Sequence, residues 1–312
     1  MAKSREERKK RKVKKTIIFI VFLSIISAIT VFNGVQFASI YKKNRVLLKE
    51  KTSIKKEYIS LKEKNDKITI EMNEIKDTDN KIKKTKENVF KYAKELEQDI
   101  KNGKSNSKIA YLTFDDGPYY LTNDVLKLLK EKKVKATFFT IGANKEKCYD
   151  NQAVSCLGTY KKIVDSGHTI ANHTYSHAIF YGLYNSTDSF VKEIEKQEKN
   201  IKDKTGVTTN IFRFPGGSAT AGNLKNGIMS KLRKKGYGWV DWTAQDGDGG
   251  ELSSTEEAWS IFTSSIDDNI EVVLFHDYNL ITYSILPDAI DYLEKNNYII
   301  LPLFYDSVMI NK

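Results

Sequence analysis

Apolar residues follow three successive patterns along this chain, and each pattern predicts a different kind of element. Across residues 16–40 they are nearly continuous (TIIFIVFLSIISAITVFNGVQFASI), with no charge between Ile17 and Phe32 and only Asn33 and Gln36 strongly polar. At ~1.5 Å per residue a helix of this kind crosses a hydrocarbon layer of ~30 Å. Beyond it the apolar residues become single and keep a period of seven: Ile40, Leu47, Ile54, Leu61, Ile68, Ile75, Ile82, Val89 and Leu96. One seam sustained in this way predicts a long helix with coiled-coil character. The companion seam, Lys51, Tyr58, Asn65, Met72, Asp79, Lys86, Ala93 and Ile100, is poor, so the zipper supports at most a weak homodimer. If helical, this stretch reaches roughly 90 Å and reads as a stalk. A charged tether without fixed geometry is the competing reading.

From Lys108 onward the pattern changes again. Apolar runs at 109–114, 136–141, 169–171, 211–214, 237–242, 272–275 and 299–303 alternate with amphipathic stretches at 123–132, 189–204, 226–235, 255–268 and 284–295. Strand–helix alternation predicts a parallel α/β sheet, and about seven strands favour an irregular (β/α) barrel. Chemistry in such barrels gathers where strand C-termini meet the following loops. The expected divisions are therefore 1–15 basic tail, 16–40 transmembrane anchor, 41–107 helical stalk and linker, and 108–312 the α/β domain.

Charge refines this picture. The net charge of +11 would suit a nucleic-acid binder, but much of the excess lies in the first 15 residues and more follows in the stalk. Basic residues beside an apolar run set membrane orientation: the N-terminus is expected in the cytoplasm and everything after Ile40 outside. A cleaved signal peptide is the rival, disfavoured by the long apolar region and the lack of a small-x-small site before Tyr41. No nucleic-acid partner is expected, because the basic residues are not interleaved with aromatics on one face. Cys148 and Cys156 could close a small disulfide loop outside the cell or remain two separate thiols.

Five clusters of reactive residues fall at predicted strand exits. Thr113-Phe-Asp115-Asp116-Gly-Pro118 offers two adjacent carboxylates that point in different directions, although an Asp-Gly-Pro turn can be merely structural. His173-Thr-Tyr-Ser-His177 holds two of the chain's four histidines, and imidazoles so spaced converge on one ion if the backbone is helical or tightly turned. His168 reads instead as a turn or packing residue. Arg213-Phe-Pro-Gly216-Gly217-Ser218 brings a cation and a turn whose Gly216 amide could face an oxyanion. Trp239-Val-Asp241-Trp242 leads into Asp246-Gly-Asp248, and Leu274-Phe-His276-Asp277 ends a later strand. One carboxylate and two imidazoles with open positions make a sensible catalytic metal site.

This ordered series resembles the NodB-homology polysaccharide deacetylases, carbohydrate esterase family four, from Lys108 to about Val308. The resemblance implies that Asp116, His173 and His177 hold a divalent metal, usually zinc. It makes Asp115 the general base for the attacking water, kept ionised by Arg213, and His276 the general acid. The motif-four aspartate would assist His276; spacing from Trp242 points to Asp248, with Asp241 as the fallback. Gly216 would contribute an oxyanion donor. Two departures stand out: Pro215-Gly216-Gly217 lacks the aromatic usual after that proline, and Gly249 replaces the usual tryptophan. The expected substrate is a cell-wall polysaccharide, foremost the N-acetylglucosamine or N-acetylmuramic acid of peptidoglycan. An exported poly-N-acetylglucosamine is the alternative within the same chemistry. A non-catalytic, metal-containing glycan-binding or scaffold protein is the alternative outside it.

Overall fold

The computed structural model describes residues 2–143 and 158–304; Cys148 and Cys156, and the end of the resemblance at Val308, lie outside the described residues. The chain divides into two compact units, Met1–Asn80 and Lys81–Lys312. In the first, the helix α1 (Ala2–Lys101) carries the apolar run and is long and apolar enough to cross a membrane. Its seam residues Leu47, Ile54, Leu61 and Ile68 are exposed.

The second unit is a curled, wholly parallel sheet. In chain order its strands are β1 (Lys108–Asp115), β2 (Thr137–Thr140), β3 (Thr169–Asn172), β4 (Ile211–Phe212), β5 (Gly238–Trp239), β6 (Ala244–Gln245), β7 (Ile270–His276) and β8 (Tyr298–Ile300). The spatial order is β5-β4-β3-β2-β1-β7-β6, seven strands in one path, with β8 pairing the first residues of β1. Helices α2 (Thr122–Glu131), α3 (Thr159–Asp165), α4 (Thr187–Thr205), α5 (Lys225–Lys234), α6 (Thr255–Ser265) and α7 (Leu280–Lys295) connect the strands. Two short elements, α3 and β6, were not predicted, because two to seven residues carry too little periodicity to read.

Side chains alternate across a strand, and that alternation sorts the core into layers. On β1, Ala110, Leu112 and Phe114 pack outward against α2 and α7, whereas Ile109 and Tyr111 face the concave side. Ala171 of β3, Ile211 of β4 and Val272 of β7 share that inner cluster, while Ile170, Val273 and Phe275 belong to the outer one. A separate outer cluster seats α4 and α5 through Phe190, Ile194, Ile228 and Leu232 against Phe212 and Trp239.

The inner layer is closed by the last turns of α1. Ala93 is fully buried in it, with Val89, Phe90, Leu96 and Ile100 packed around Ile109, Tyr111, Leu301, Leu303 and Phe304. Glu97, also buried, accepts the Tyr111 hydroxyl at 2.8 Å and pairs with Lys101 at 2.8 Å. Val89 and Leu96, the last two seam positions, are thus half-buried in a domain core.

A chain starting at Lys108 should therefore be less stable than one starting at Lys81. Burying two or three large side chains is worth on the order of 4 kcal/mol, so denaturant melts of the two fragments should differ by about that much. Equal midpoints and slopes would show that the helix end contributes nothing.

Candidate active site

The alternation that builds the inner core also delivers the reactive residues. Each inner-facing series, read two residues onward, ends in one: Ile109–Tyr111–Thr113–Asp115 on β1, Ala171–His173 at β3, Ile211–Arg213 at β4, and Val272–Leu274–His276 on β7. Asp115 and His276 are direct register partners across β1 and β7. Four side chains from four strands therefore reach the same rim of the sheet.

Arg213 is fully buried, and its donors are almost all engaged. Nε donates to the Val240 carbonyl at 3.1 Å and Nη2 to the Asp241 carbonyl at 2.9 Å. Nη1 donates to the Thr113 hydroxyl and to Asp115 Oδ1, each at 2.8 Å. The guanidinium lies over the Phe139 ring, 4.3 Å from its centroid. Burial raises the Asp115 carboxyl above its ordinary value, and Arg213 foremost, with His276 and His177, offsets only part of that rise.

Asp116, His173 and His177 bring one ligand atom each to within 4.8 Å of one another. Asp116 Oδ1 lies 3.6 Å from His173 Nε2 and 3.2 Å from His177 Nε2. The backbone achieves this with left-handed turns at Asp116 (φ 71°), Thr174 (φ 68°) and His177 (φ 53°). Three of the five non-glycine residues with positive φ in the described chain thus sit at one cluster, as expected where geometry is imposed by function. His173 Nδ1 faces the Arg213 carbonyl at 3.0 Å, which fixes the proton on Nδ1 and leaves a lone pair on Nε2. Burial, followed by the neighbouring His177, lowers the His173 imidazole to about 3, so it is neutral at pH 7. A neutral imidazole lone pair directed at a carboxylate oxygen is repulsive unless a cation lies between them. The donor set, two nitrogens and one oxygen, suits zinc or a similar divalent ion.

His276 lies across from this cluster, its Nε2 3.9 Å from Asp116 Oδ2. Its Nδ1 meets Asp248 Oδ1 at 2.7 Å, and its backbone N–H donates to Asp248 Oδ2 at 2.7 Å. Burial alone would lower this imidazole, but the Asp248 hydrogen bond and charge, with Asp116 and Asp115, outweigh it and hold it up to about 9. Asp241 does something else: its carboxylate accepts the backbone N–H of Ser218 at 2.9 Å and the Ser218 hydroxyl, bracing the Gly216–Gly217 turn. Gly216 itself has φ 73°, and its amide makes no hydrogen bond among the described residues. His168 sits elsewhere, buried, with Nδ1 accepting the Ala136 amide at 3.1 Å.

Several contributing residues were given no role from the sequence. Thr113 shares Arg213 with Asp115, and its inward parity on β1 was the available signal. Thr282 on α7 reaches Asp246 at 2.7 Å and Asp248 at 2.9 Å, and no local pattern marks it. Asp246 is buried beside Asp248, and burial with that like charge raises it to about 7. Asp277, adjacent to His276, is buried and accepts the Thr122 hydroxyl.

Known proteins resemble this chain in sequence and fold. A family profile described as polysaccharide deacetylase matches residues 102–236. A peptidoglycan-N-acetylglucosamine deacetylase of Bacillus cereus is 30% identical over 203 residues, covering 63% of this chain and 69% of that protein. A peptidoglycan-N-acetylglucosamine deacetylase of Listeria monocytogenes is 26% identical over 201 residues, 64% of this chain but only 39% of that longer protein. Among solved structures, the catalytic domain of a peptidoglycan N-acetylglucosamine deacetylase from Eubacterium rectale superposes with TM-score 0.60 at 30% identity. That match covers 66% of this chain and 93% of that one.

The Asp248–His276 pair makes a pH prediction. Asp248→Asn removes a negative charge that favours the imidazolium, so the proton should leave at lower pH. In NMR titration of the four histidines, His276 should fall clearly from about 9 toward the ordinary imidazole range. An unchanged titration would mean that Asp248 does not govern it.

Proposed function

Because this chain belongs to the polysaccharide deacetylase family, whose members hydrolyse amides, we propose that it removes acetyl groups from an N-acetylated cell-wall glycan, foremost the N-acetylglucosamine of peptidoglycan. The observation that carries this reading is the convergence of two imidazoles and a carboxylate within 4.8 Å, flanked by register partners Asp115 and His276. Asp116, His173 and His177 would hold a divalent ion, most fittingly zinc, which when bound supplies Lewis acidity toward the acetamide carbonyl and toward water.

The protein's own groups divide the proton transfers. Asp115, whose carboxylate form Arg213 favours against the effect of burial, accepts the proton of the attacking water as the new C–O bond forms. His276, protonated below about 9, donates to the amide nitrogen as the C–N bond breaks. Acetate and a free amine on the sugar are the products. The Gly216 N–H is available to the developing oxyanion, and Asp248 keeps the His276 Nδ1 proton in place. Attack and departure need opposite proton transfers, so two groups of opposite character are required.

The remaining assignments follow from topology. The apolar stretch of α1 would anchor the chain, with the basic N-terminal residues on the cytoplasmic side and the catalytic unit outside, facing the wall. The exposed seam at Leu47, Ile54, Leu61 and Ile68 leaves room for a weak homodimer.

Acetate release by the full chain in detergent tests the reading, with peptidoglycan and N-acetylglucosamine oligomers as substrates. Release should stop on chelation and return with zinc. Activity that is indifferent to chelation would overturn the metal assignment. No release from either glycan by folded, zinc-loaded protein would favour a glycan-binding role. Asp115→Asn should lower kcat by about 10²–10⁴-fold with zinc content retained. His173→Ala should lose the zinc itself, read by metal analysis. An active Asp115→Asn protein would place the base elsewhere.

A further inference from the structure

The segment that follows His177 carries two aromatic rings that the chemistry described above does not use. A 3-10 turn, Ile179–Tyr181, leaves Phe180 89% and Tyr181 90% exposed. Among the described residues of the unit Lys81–Lys312, the other exposed large apolar side chains, Tyr92 and Leu280, reach only 49% and 59%. These rings do not hang on a loose loop. The Ala178 carbonyl accepts the amides of Tyr181 at 3.0 Å and Leu183 at 3.1 Å, and the His177 carbonyl accepts that of Ile179 at 2.9 Å. Downstream, Leu183 is buried beside Phe190, and the Tyr184 hydroxyl donates to the Pro215 carbonyl at 2.8 Å. A turn pinned at both ends therefore holds two aromatic faces in water, where they contribute nothing to folding.

Their position says what covers them. Ile179 packs toward the Gly216–Gly217 turn: a Cβ added at Gly216 would lie 3.5 Å from Ile179 Cδ1. The turn bearing Phe180 and Tyr181 thus continues the rim whose glycines supply no side-chain wall, starting two residues from the ligand His177. Across the site a second aromatic group flanks His276. Tyr278 lies 5.1 Å from the His276 ring and 5.2 Å from Tyr119, centroid to centroid. A polymer whose acetamide is at the metal ligands must send its neighbouring sugars past one rim or the other. Pyranose rings present a flat face of C–H bonds, which are attracted to the negative face of an aromatic ring.

We infer that Phe180 and Tyr181 form an outer stacking platform for the glycan sugars adjoining the one being deacetylated, so that the enzyme selects for polymer length. This rests on the glycan reading of the site.

The test uses the full chain in detergent with β-linked N-acetylglucosamine oligomers of increasing length. Dissociation constants are measured in chelator, and kcat/KM for acetate release is measured with zinc. Phe180→Ala/Tyr181→Ala is compared with wild type and with Phe180→Tyr/Tyr181→Phe. In the wild type, affinity should tighten with length. The double alanine variant should lose about tenfold more on long oligomers than on short ones, mainly in KM, since each aromatic contact is worth a few-fold to tenfold. The aromatic swap should restore the length dependence. Equal loss at every length, or an unchanged length dependence, overturns the inference. The latter together with reduced binding to lipid vesicles, or reduced self-association, would assign the rings to a membrane or to a second copy. If the wild type binds oligomers in a length-dependent way that the alanines abolish but releases no acetate, the platform stands and the deacetylase reading falls. If it binds no oligomer, the platform falls.

Discussion

A single buried cation organises the catalytic rim. Arg213 has no exposed surface, and a guanidinium taken out of water is tolerated only when its donors are matched. Its partners come from three strand exits: Thr113 and Asp115 on β1, the Val240 and Asp241 carbonyls beyond β5, and its own backbone carbonyl, which meets His173. The same residue therefore favours the carboxylate form of Asp115 against its burial and fixes the tautomer of His173. Breaking a buried pair of this kind costs about 3–5 kcal/mol, because the surviving charge is stranded. Any substitution here disturbs Asp115, His173 and the sheet together.

Much of the site was legible because a parallel barrel converts sequence parity into position. A run such as Ile109–Asp115 announces a strand, and its inward parity is fixed once Ile109 and Tyr111 join the inner cluster. The last inward residue must then stand at the C-terminal rim. The five motifs fell at strand exits for this reason, and Asp115, Asp116, His173, His177, Arg213 and His276 share one rim. The choice between Asp241 and Asp248 was not legible in the same way. Asp241 lies in the link between β5 and β6 and Asp248 in the loop after β6, where parity carries no information, and only the hydrogen bonds separate the residue that braces Ser218 from the one that holds His276.

The sevenfold seam shows how one pattern can serve two packings. From Leu47 to Ile68 its residues are exposed on a helix, but Val89 and Leu96 lie against the inner core of the sheet. An apolar stripe records that one helix face is to be buried, not what buries it. The tell-tale in the sequence was subtle: the companion seam, polar for most of its length, becomes Ala93 and Ile100 where the helix meets the domain. Glu97, buried between them, would be costly in a zipper core and is satisfied here by Tyr111 and Lys101. Contacts from distant parts of the chain, such as Thr282 on Asp246 and Asp248, left no comparable trace.

The proposed division of labour between Asp115 and His276 also rests on environment more than on residue type. Both are buried, and burial opposes the charged form of each. What lies behind them differs. Asp115 is backed by a guanidinium, which favours the carboxylate that can take a proton. His276 is backed by Asp248, which favours the imidazolium that can give one. Exchange the two supports, and the base would be neutralised while the acid was stripped of its proton. On the proposed reading, facing register positions with opposite counter-charges would let one sheet edge run both proton transfers at a single pH.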